Sequence, residues 1–473
     1  MGFASMAARR APFCGSPMLL ALGLAVALLL VPSSKAFAMK IQEVTSPGGI
    51  RAWLVEEHGV PLVAMRFGFD GGSAQDPSGK EGVANFLGGM MDEGAGDLTS
   101  RQFQERMQEL AMHMGFDDTR DAFYGSFETL TENRDQSAAL LALAINKPRF
   151  DADAVERVRG QLLAILASGA RDPNHVAAEQ WSALAFPGHV YGRPANGTPE
   201  SLQRITGADL AAYKNAIFAK DTLRVVVVGD MDPKTLGTML DTVFGALPAK
   251  ARLTPVPDTQ PMAVAEKVID MGVPQSVAQF GVGAMQRKDK DFVPAFVLAN
   301  IVGGGSMSSR LWEEVREKRG LAYSVYAGLQ PFRHASIFAG GVATKNEEIG
   351  RSLEVIRAEL KRIADEGPTQ QELDNAKSYL TGSFALRFDS NAKIANQLLW
   401  FWMEDLGIDY VDRRNSEIEA VTLADLKRVA RRLFEKGDLI VTIAGRPKIS
   451  ALAADGSAQN RGPPALGGRG NSR

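Results

Sequence analysis

The chain has 473 residues, of which 45% are hydrophobic and 23% are charged, and its formal net charge is -2. That length and composition allow large buried cores in two to three domains, as in a globular protein. The near-neutral charge, and the lack of a basic stripe interleaved with aromatic residues, argue against nucleic acid as a partner.

The N-terminus has the three parts of a secretory signal peptide. Two arginines lie near the start, an apolar run covers 18–31, and the small-residue sequence Ala-Phe-Ala occupies 36–38. Because the run is shorter than the roughly 20 residues of a membrane-spanning helix, we expect residues 1–38 to be removed, with cleavage near Ala38 and Met39. The mature chain is then periplasmic, with a retained membrane anchor as the alternative. No later apolar segment has the length to span a membrane.

Strand and helix patterns are grouped in the first half of the mature chain. The residues at 60–69 and 123–130 alternate as half-buried strands do, and those at 100–114, 137–144 and 154–167 have helical spacing. Grouped strands with long helices predict an α+β fold and not a parallel doubly wound sheet.

The clearest internal pattern is a repeat. The sequence ITGADL at 205–210 returns as VTLADL at 421–426, an offset of 216 residues. In both copies a threonine that can cap a helix precedes an amphipathic helix, and an apolar strand follows, at 223–228 and at 439–444. The chain is therefore predicted to be a tandem duplication.

The repeat divides the chain into segments. We assign 39–250 to a first domain and 262–450 to a second, and we assign the proline-bearing polar segment between them, 251–261, to an extended linker. The residues at 451–473 lack apolar periodicity and are predicted to be disordered.

Three segments of the first half carry ordered motifs. They read GVANFLGGM at 82–90, ERVRGQLLAI at 156–165 and YGRPANGTPESL at 191–202. Together they resemble the first domain of the pitrilysin/insulinase peptidases, family M16, whose members read HxxEH, ERERxxxLxE and YGxPxxGTPExL at these places. The resemblance covers about residues 41–250.

In that family two histidines and a later glutamate bind zinc, while the glutamate between the histidines activates the metal-bound water. The resemblance implies that Asn85, Gly88, Gly89 and Ile165 occupy those four positions here. Asparagine, glycine and isoleucine offer at most one weak neutral oxygen, whereas zinc requires three deprotonated protein ligands. We therefore expect a degenerate zinc site, with neither a metal nor a catalytic residue in this chain.

Ligands for a metal elsewhere are scarce. The single cysteine, Cys14, belongs to the leader, so the mature chain has no thiol. The five histidines include no pair at i and i+4, which indicates surface or hydrogen-bonded side chains. Asp92 and Glu93 follow the degenerate helix, and we interpret them as a solvated acidic turn.

The second half carries its own motif, GGGSMSSRLWEEVREKRGLAYSV at 303–325. Its glycines fit neither common phosphate-binding pattern, and we interpret them as a tight turn that caps a helix. The segment resembles RLxxxxREKxGLxYSV of the M16 second domain, in which an arginine and a tyrosine bind the substrate backbone near the scissile bond. The resemblance assigns that role to Arg316 and Tyr323. Spacing alone would also allow a solvated arginine on a charged helix and a tyrosine packed in a strand.

Members of the two-domain branch of this family form dimers around a chamber, and some are heterodimers in which only one chain has HxxEH. The resemblance implies two tandem α+β domains, each a mostly antiparallel sheet covered by helices, as in the mitochondrial processing peptidase. It implies a non-catalytic subunit, inactive alone, that pairs with an HxxEH-bearing catalytic subunit holding the zinc. Unfolded peptides would be the substrates. The alternative is a proteolytically inactive peptide-binding or structural member of the family.

Overall fold

The computed structural model describes residues 39–304 and 306–448. The predicted signal peptide and the predicted disordered tail lie outside these described residues. The strands are β1 (Gln42–Thr45), β2 (Arg51–Glu56), β3 (Leu62–Asp70), β4 (Gly94–Ala95), β5 (Leu98–Thr99), β6 (His113–Asp118), β7 (Ala122–Leu130), β8 (Arg224–Gly229), β9 (Ala265–Asp270), β10 (Gln275–Gly283), β11 (Ser324–Pro331), β12 (Ser336–Lys345) and β13 (Ile440–Gly445).

The α-helices of the first half are α1 (Val83–Met90), α2 (Ser100–Glu109), α3 (Arg134–Asn146), α4 (Ala152–Gly169), α5 (Pro173–Ala185), α6 (Pro199–Arg204), α7 (Gly207–Ile217) and α8 (Pro233–Phe244). Those of the second half are α9 (Phe292–Ala299), α10 (Ile349–Glu366), α11 (Gln370–Gly382), α12 (Asn391–Met403), α13 (Tyr410–Glu419) and α14 (Leu423–Phe434). Two π-helical segments, Asn300–Gly304 and Trp312–Glu317, belong to the second half.

The first half is built on a six-stranded sheet with the order β1-β2-β8-β3-β7-β6. The pair β2 and β8 is parallel, and the remaining neighbours are antiparallel. Within β3 every residue between the two ends is buried. The strand predicted at 60–69 is present as β3, but the half-buried character predicted for it is wrong, because β3 is a central strand that packs on both faces.

The second half has a five-stranded sheet with the order β11-β12-β10-β13-β9, in which only β13 and β9 pair in parallel. The repeat is visible in the structure: α7 precedes β8 as α14 precedes β13. Both helices begin after a threonine capping box, at Thr206 and Thr422, which satisfies N–H groups of the first turn. The α+β class with two mostly antiparallel, helix-covered sheets is confirmed.

Each half lends a helix to the other half's sheet. Helix α5 of the first half packs on β10 and β13, and helix α12 of the second half packs on β3 and β8. The indole Nε1 of Trp181 donates to the carbonyl oxygen of Ile440 at 3.0 Å, and Trp402 stacks on Trp53 with ring centroids 4.5 Å apart. Because α12 covers the face of β3 that the first half's own helices leave open, no face of that strand meets water.

One predicted helix is shorter in the structure, and the predicted linker has no regular secondary structure. The helix predicted at 100–114 ends at Glu109, because Ala111 adopts a left-handed backbone (φ 48°) and turns the chain into β6. Between α8 and β9 the chain has no helix or strand at 251–262, the segment that contains the predicted linker. Its backbone is tied down, with Arg252 N–H donating to the carbonyl of Ala216 at 2.7 Å.

Candidate functional site

The helix that carries three of the four degenerate positions, α1, is held at its N-terminus by a buried carboxylate. Asp76 accepts hydrogen bonds from the backbone N–H groups of Gly82 at 2.6 Å and Ala84 at 3.0 Å. Burial raises the pKa of Asp76 to about 8, against the effect of these two hydrogen bonds. Gly82 has φ 94°, and a Cβ there would lie 2.8 Å from the carbonyl oxygen of Asn196, so this cap requires glycine.

The structure brings the four degenerate positions together. Asn85, Gly88 and Gly89 of α1 and Ile165 of α4 line one cavity of about 210 Å³, which we call the degenerate pocket. The remaining lining residues come from β6, from α4 and from the loop before α6: Phe116, Asp117, Asp118, Leu162, Leu166 and Asn196. The side chain of Ile165 is 61% exposed, which is unusual for a large apolar residue and places it at the mouth of the pocket.

The donor set of the degenerate pocket does not fit zinc. Glycine has no side-chain ligand, and the amide of Asn85 interacts with the carboxylate of Asp118. Burial raises the pKa of Asp118 to about 7, so this carboxylate is a poor anionic ligand at neutral pH. Within residues 39–304 and 306–448, no group of three or more His, Cys, Asp or Glu side chains is arranged to hold a metal ion.

The acidic turn after α1 is not solvated, contrary to expectation. Glu93 forms an ion pair with Arg157 and accepts from Ser100, and the hydrogen bond from Arg157 lowers the pKa of Glu93. Asp92 accepts from the side chain of Gln104 at 3.0 Å. Both acids therefore fasten α1 to its neighbours α2 and α4, and neither side chain lines the degenerate pocket.

The motif of the second half is anchored by buried ion pairs. Arg310 bonds Glu372 at 2.6 Å and Glu359 at 3.1 Å. Glu314 bonds Lys318 at 2.9 Å and Arg319 at 2.5 Å, and the hydrogen bond from Lys318 is the main reason that the pKa of Glu314 falls to about 2. The segment around Arg316 is thus held by side chains other than Arg316 itself.

Arg316 and Tyr323 lie together, and both are accessible. The guanidinium carbon of Arg316 lies 3.9 Å from the ring centroid of Trp312 and 5.0 Å from that of Tyr323, so the cation lies against two aromatic faces. Tyr323 is 81% exposed, which excludes the alternative that it packs as a strand residue. Among the described residues no carboxylate forms an ion pair with Arg316. We call these two residues the Arg316–Tyr323 pair.

The first glycine of this motif, Gly303, has a packing role. A Cβ on Gly303 would lie 2.5 Å from the backbone nitrogen of Ala327 in β11, so glycine permits the close approach of that strand. The predicted helix-capping turn is instead the end of the π-helical segment Asn300–Gly304. Gly305 lies outside the described residues.

Sequence reasoning missed several residues that the structure adds. Phe116, Asp117 and Asp118 enter the degenerate pocket from β6, with no motif to reveal them. Trp312 could have been found, because it precedes Arg316 by four residues in a segment with helical spacing. The Arg316–Tyr323 pair is not among the residues that line the degenerate pocket, so the two candidate sites are separate within this chain.

The fold and the two sites define a duplicated metallopeptidase fold from which the zinc ligands have been replaced. The family model described as insulinase (peptidase family M16) matches residues 52–198, and the model described as peptidase M16 inactive domain matches residues 204–380. The chain belongs to peptidase family M16, and its site places it among the inactive homologues. No helix within the described ranges combines the length and apolar character that a membrane crossing requires.

Similar proteins differ in their names. The chain is 27% identical over 396 residues to a "non-peptidase homolog" of Helicobacter pylori, covering 83% of this chain and 91% of that protein. It is 25% identical over 413 residues to an "uncharacterized zinc protease" of Bacillus subtilis, covering 85% and 98%. A solved peptidase M16 inactive domain from Pseudomonas fluorescens superposes with a TM-score of 0.81 at 26% identity, covering 87% of this chain and 98% of that chain.

Proposed function

We propose that this chain is the non-catalytic subunit of a periplasmic, heterodimeric M16 zinc peptidase. In this proposal it supplies Arg316 and Tyr323 to a substrate held at the zinc site of an HxxEH-bearing partner. The proposal rests on the state of the Arg316–Tyr323 pair, in which the half-buried guanidinium has no ion-pair partner among the described residues and stacks on an exposed tyrosine, in a chain whose degenerate pocket offers no ligand set for zinc.

The neighbouring charges favour a binding role over a solvated charge for Arg316. The nearby carboxylates are already engaged: Glu313 and Glu314 pair with Lys318, and Glu317 accepts from the indole of Trp312 at 3.0 Å. The guanidinium of Arg316 therefore keeps its N–H donors for an incoming ligand.

The chemistry of the pair suits a peptide bond that is being cleaved. A guanidinium and a phenol both donate hydrogen bonds to a carbonyl oxygen, and more strongly to the oxyanion that forms when water attacks it. One pre-positioned donor of this kind contributes roughly 100-fold to 1000-fold in rate. The zinc and its activated water belong to the partner subunit in this proposal.

The expected substrates are unfolded peptides that add a strand to an exposed sheet edge. The outermost strand of the first sheet, β6, contributes Phe116 and Asp117 to the degenerate pocket, so an open edge and a cavity lie side by side. Recognition through backbone hydrogen bonds tolerates many sequences, which suits a peptidase of small or misfolded polypeptides.

Affinity recovery of the tagged mature chain from its native cells tests the proposal. The co-purifying proteins are identified, and the eluate is assayed for chelator-sensitive cleavage of an unstructured peptide. A stoichiometric HxxEH-bearing chain with such activity supports the heterodimer. Recovery of this chain alone, inactive and without metal, contradicts it.

A second candidate is a peptide-binding or structural protein that takes part in no proteolysis. The name of the Helicobacter pylori relative, a non-peptidase homolog, favours this alternative. Substituting both Arg316 and Tyr323 with alanine separates the candidates. An unchanged peptidase activity of the recovered complex would favour the second, whereas a large loss would favour the first.

A further inference from the structure

A second cavity adjoins the degenerate pocket, and two arginines line it. This cavity, of about 190 Å³, is lined by Arg120, Arg193, His175 and Glu179 among others, and we call it the arginine pocket. It shares Leu166 and Asn196 with the degenerate pocket, so the two cavities are neighbours.

The two arginines of this pocket use few of their hydrogen-bond donors. Arg120 donates to the backbone carbonyl of Arg193 at 3.4 Å, and Arg193 donates to the backbone carbonyl of Asp76 at 3.4 Å, both long contacts. In the part of the chain that the structure describes, neither guanidinium has a carboxylate within the 4.0 Å of an ion pair. Each guanidinium carries five N–H donors, so most remain available to a ligand.

The environment of Arg120 makes these free donors costly without a ligand. Arg120 is half-buried, and this burial lowers its pKa although the nearby Asp121 acts in the opposite direction. A guanidinium removed from water is stable only when an acceptor, preferably an anionic one, completes its hydrogen bonds.

The nearby acids are engaged elsewhere. Asp121 accepts from the hydroxyl of Tyr191 at 2.6 Å and from the backbone N–H of Arg333 at 3.0 Å. Asp118 faces Asn85 in the degenerate pocket. Glu179 also lines the arginine pocket, and its carboxylate lies 3.7 Å from the ring nitrogen of His175. Within the described residues it forms no ion pair with Arg120 or Arg193, so the two guanidinium groups lack a carboxylate partner.

We propose that the arginine pocket binds a carboxylate of a peptide ligand. An apolar side chain of the same peptide, next to that carboxylate, would lie in the degenerate pocket. Arginine forms paired hydrogen bonds with a carboxylate, and two guanidinium groups with an imidazole offer donors from several directions. Leu162, Ile165 and Leu166 supply the apolar wall next to it. The carboxylate can come from the peptide's C-terminus or from an acidic side chain.

This inference goes beyond the heterodimer proposal and does not depend on it. Its residues all belong to the first half of this chain, whereas the Arg316–Tyr323 pair belongs to the second. In this account the loss of the zinc ligands leaves a cleft that holds the end of a peptide. The isolated mature chain is therefore sufficient for the test.

Equilibrium dialysis of the mature chain against matched peptide libraries tests the assignment. One library of short, randomised, N-acetylated peptides has a free C-terminal carboxylate, and a second has a C-terminal amide. A third is amidated but ends in Asp or Glu. We expect the free acid to bind about 10-fold more tightly than the amide, the effect of roughly one charge-assisted hydrogen bond. If only the third library bound more tightly than the second, the pocket would be assigned to the carboxylate of an acidic side chain.

Variants locate the effect in the pocket. Arg120→Gln and Arg193→Gln should each abolish the preference for the carboxylate, while Arg101→Gln removes a charge from the exposed face of α2 and should preserve it. Equal binding of all three libraries by the unmodified chain overturns the proposal without any variant. A preference that survives both pocket substitutions also overturns it, as does binding of inorganic phosphate without discrimination among the three libraries.

Discussion

The two halves of this chain share a fold but treat their functional positions in opposite ways. In the first half, buried contacts hold α1 in place, yet its two zinc-ligand positions and its general-base position have become Asn85, Gly89 and Gly88. In the second half, ion pairs of Arg310 and Glu314 hold a segment in which the Arg316–Tyr323 pair is intact and accessible. The local structure around an active-site position can therefore persist whether or not its chemical groups are kept.

The largest expected effect lies in the second half. In the recovered complex, Arg316→Ala should lower kcat/KM for an unstructured peptide by about 100-fold to 1000-fold, because a donor to the oxyanion is lost. Tyr323→Phe keeps the aromatic face and removes only the hydroxyl donor, so a loss by this variant isolates that donor. Steady-state kinetics on the purified complex measures both.

Arg351→Ala is the matched control, since Arg351 is an exposed arginine on α10 of the same half. Its complex should retain the activity of the unmodified one. Equal activity of the Arg316 variant and this control would show that Arg316 has no part in peptide cleavage, and the second half would then have no functional residue to set against the degenerate pocket.

Substitution of Trp312 should have a smaller effect on the same site. The indole lies against the Arg316 guanidinium and is oriented by its hydrogen bond to Glu317, so it positions the cation. Trp312→Ala should lower kcat/KM by about 10-fold, within the range of a cation–π contact, and Trp312→Phe should restore most of it. An alanine variant as active as the unmodified complex would show that the stacking is incidental.

One carboxyl group in each half should change stability with pH, and the two changes should have opposite signs. Burial raises the pKa of Asp118 to about 7 from an ordinary 3.8, so its contribution to stability declines as pH rises from about 4 to about 7. Lys318 and its other partners lower the pKa of Glu314 from 4.5 to about 2, so its contribution is complete above about pH 4.5 and is lost as pH falls towards 2.

Urea unfolding at a series of pH values measures this contrast. Asp118→Asn should reduce the decline between about pH 4 and pH 7, of which Asp76 keeps its own share, and leave the acid limb unchanged. Glu314→Gln should make the acid limb below about pH 4.5 shallower and leave the decline at higher pH unchanged, while Glu372, whose pKa is also lowered to about 2, keeps its share of that limb. Identical pH profiles of Asp118→Asn and the unmodified chain would show that this carboxyl titrates normally.

The smallest effect concerns the two glycines inside α1. A Cβ at Gly88 meets its nearest atom at 3.4 Å, an ordinary contact, so Gly88→Ala should stabilise the chain by about 0.5–1 kcal/mol through helix propensity. A Cβ at Gly89 would lie 3.1 Å from Cγ1 of Val158, which is tight, so Gly89→Ala should gain less or lose stability. Thermal unfolding compares the two, and a larger gain at Gly89 would contradict the packing described here.

Much of this architecture was predictable from local patterns. The threonine caps, the repeated helix and strand, and the α+β class follow from short-range periodicity, and the structure bears them out. The burial of β3 on both faces was not predictable, because the helix that covers its second face, α12, lies more than 300 residues later in the sequence.

The candidate sites also divide into features that local sequence patterns predict and features that only the fold shows. The degenerate positions lie in motifs whose spacing survives, and the structure places them around one cavity. The arginine pocket had no such signal, since Arg120 and Arg193 come from different loops and meet only through the packing of the first domain. Trp312 lay within a motif already in view, but its role depends on an orientation that spacing cannot show.

The most direct test of the account is the metal content of two samples, the isolated mature chain and the complex recovered on it, measured by elemental mass spectrometry. The account predicts no stoichiometric zinc on the chain alone and one zinc for each heterodimer, removed by a chelator together with peptidase activity. Stoichiometric zinc on the isolated chain that disappears in Asn85→Ala would contradict it, because the metal would then occupy the pocket described here as degenerate.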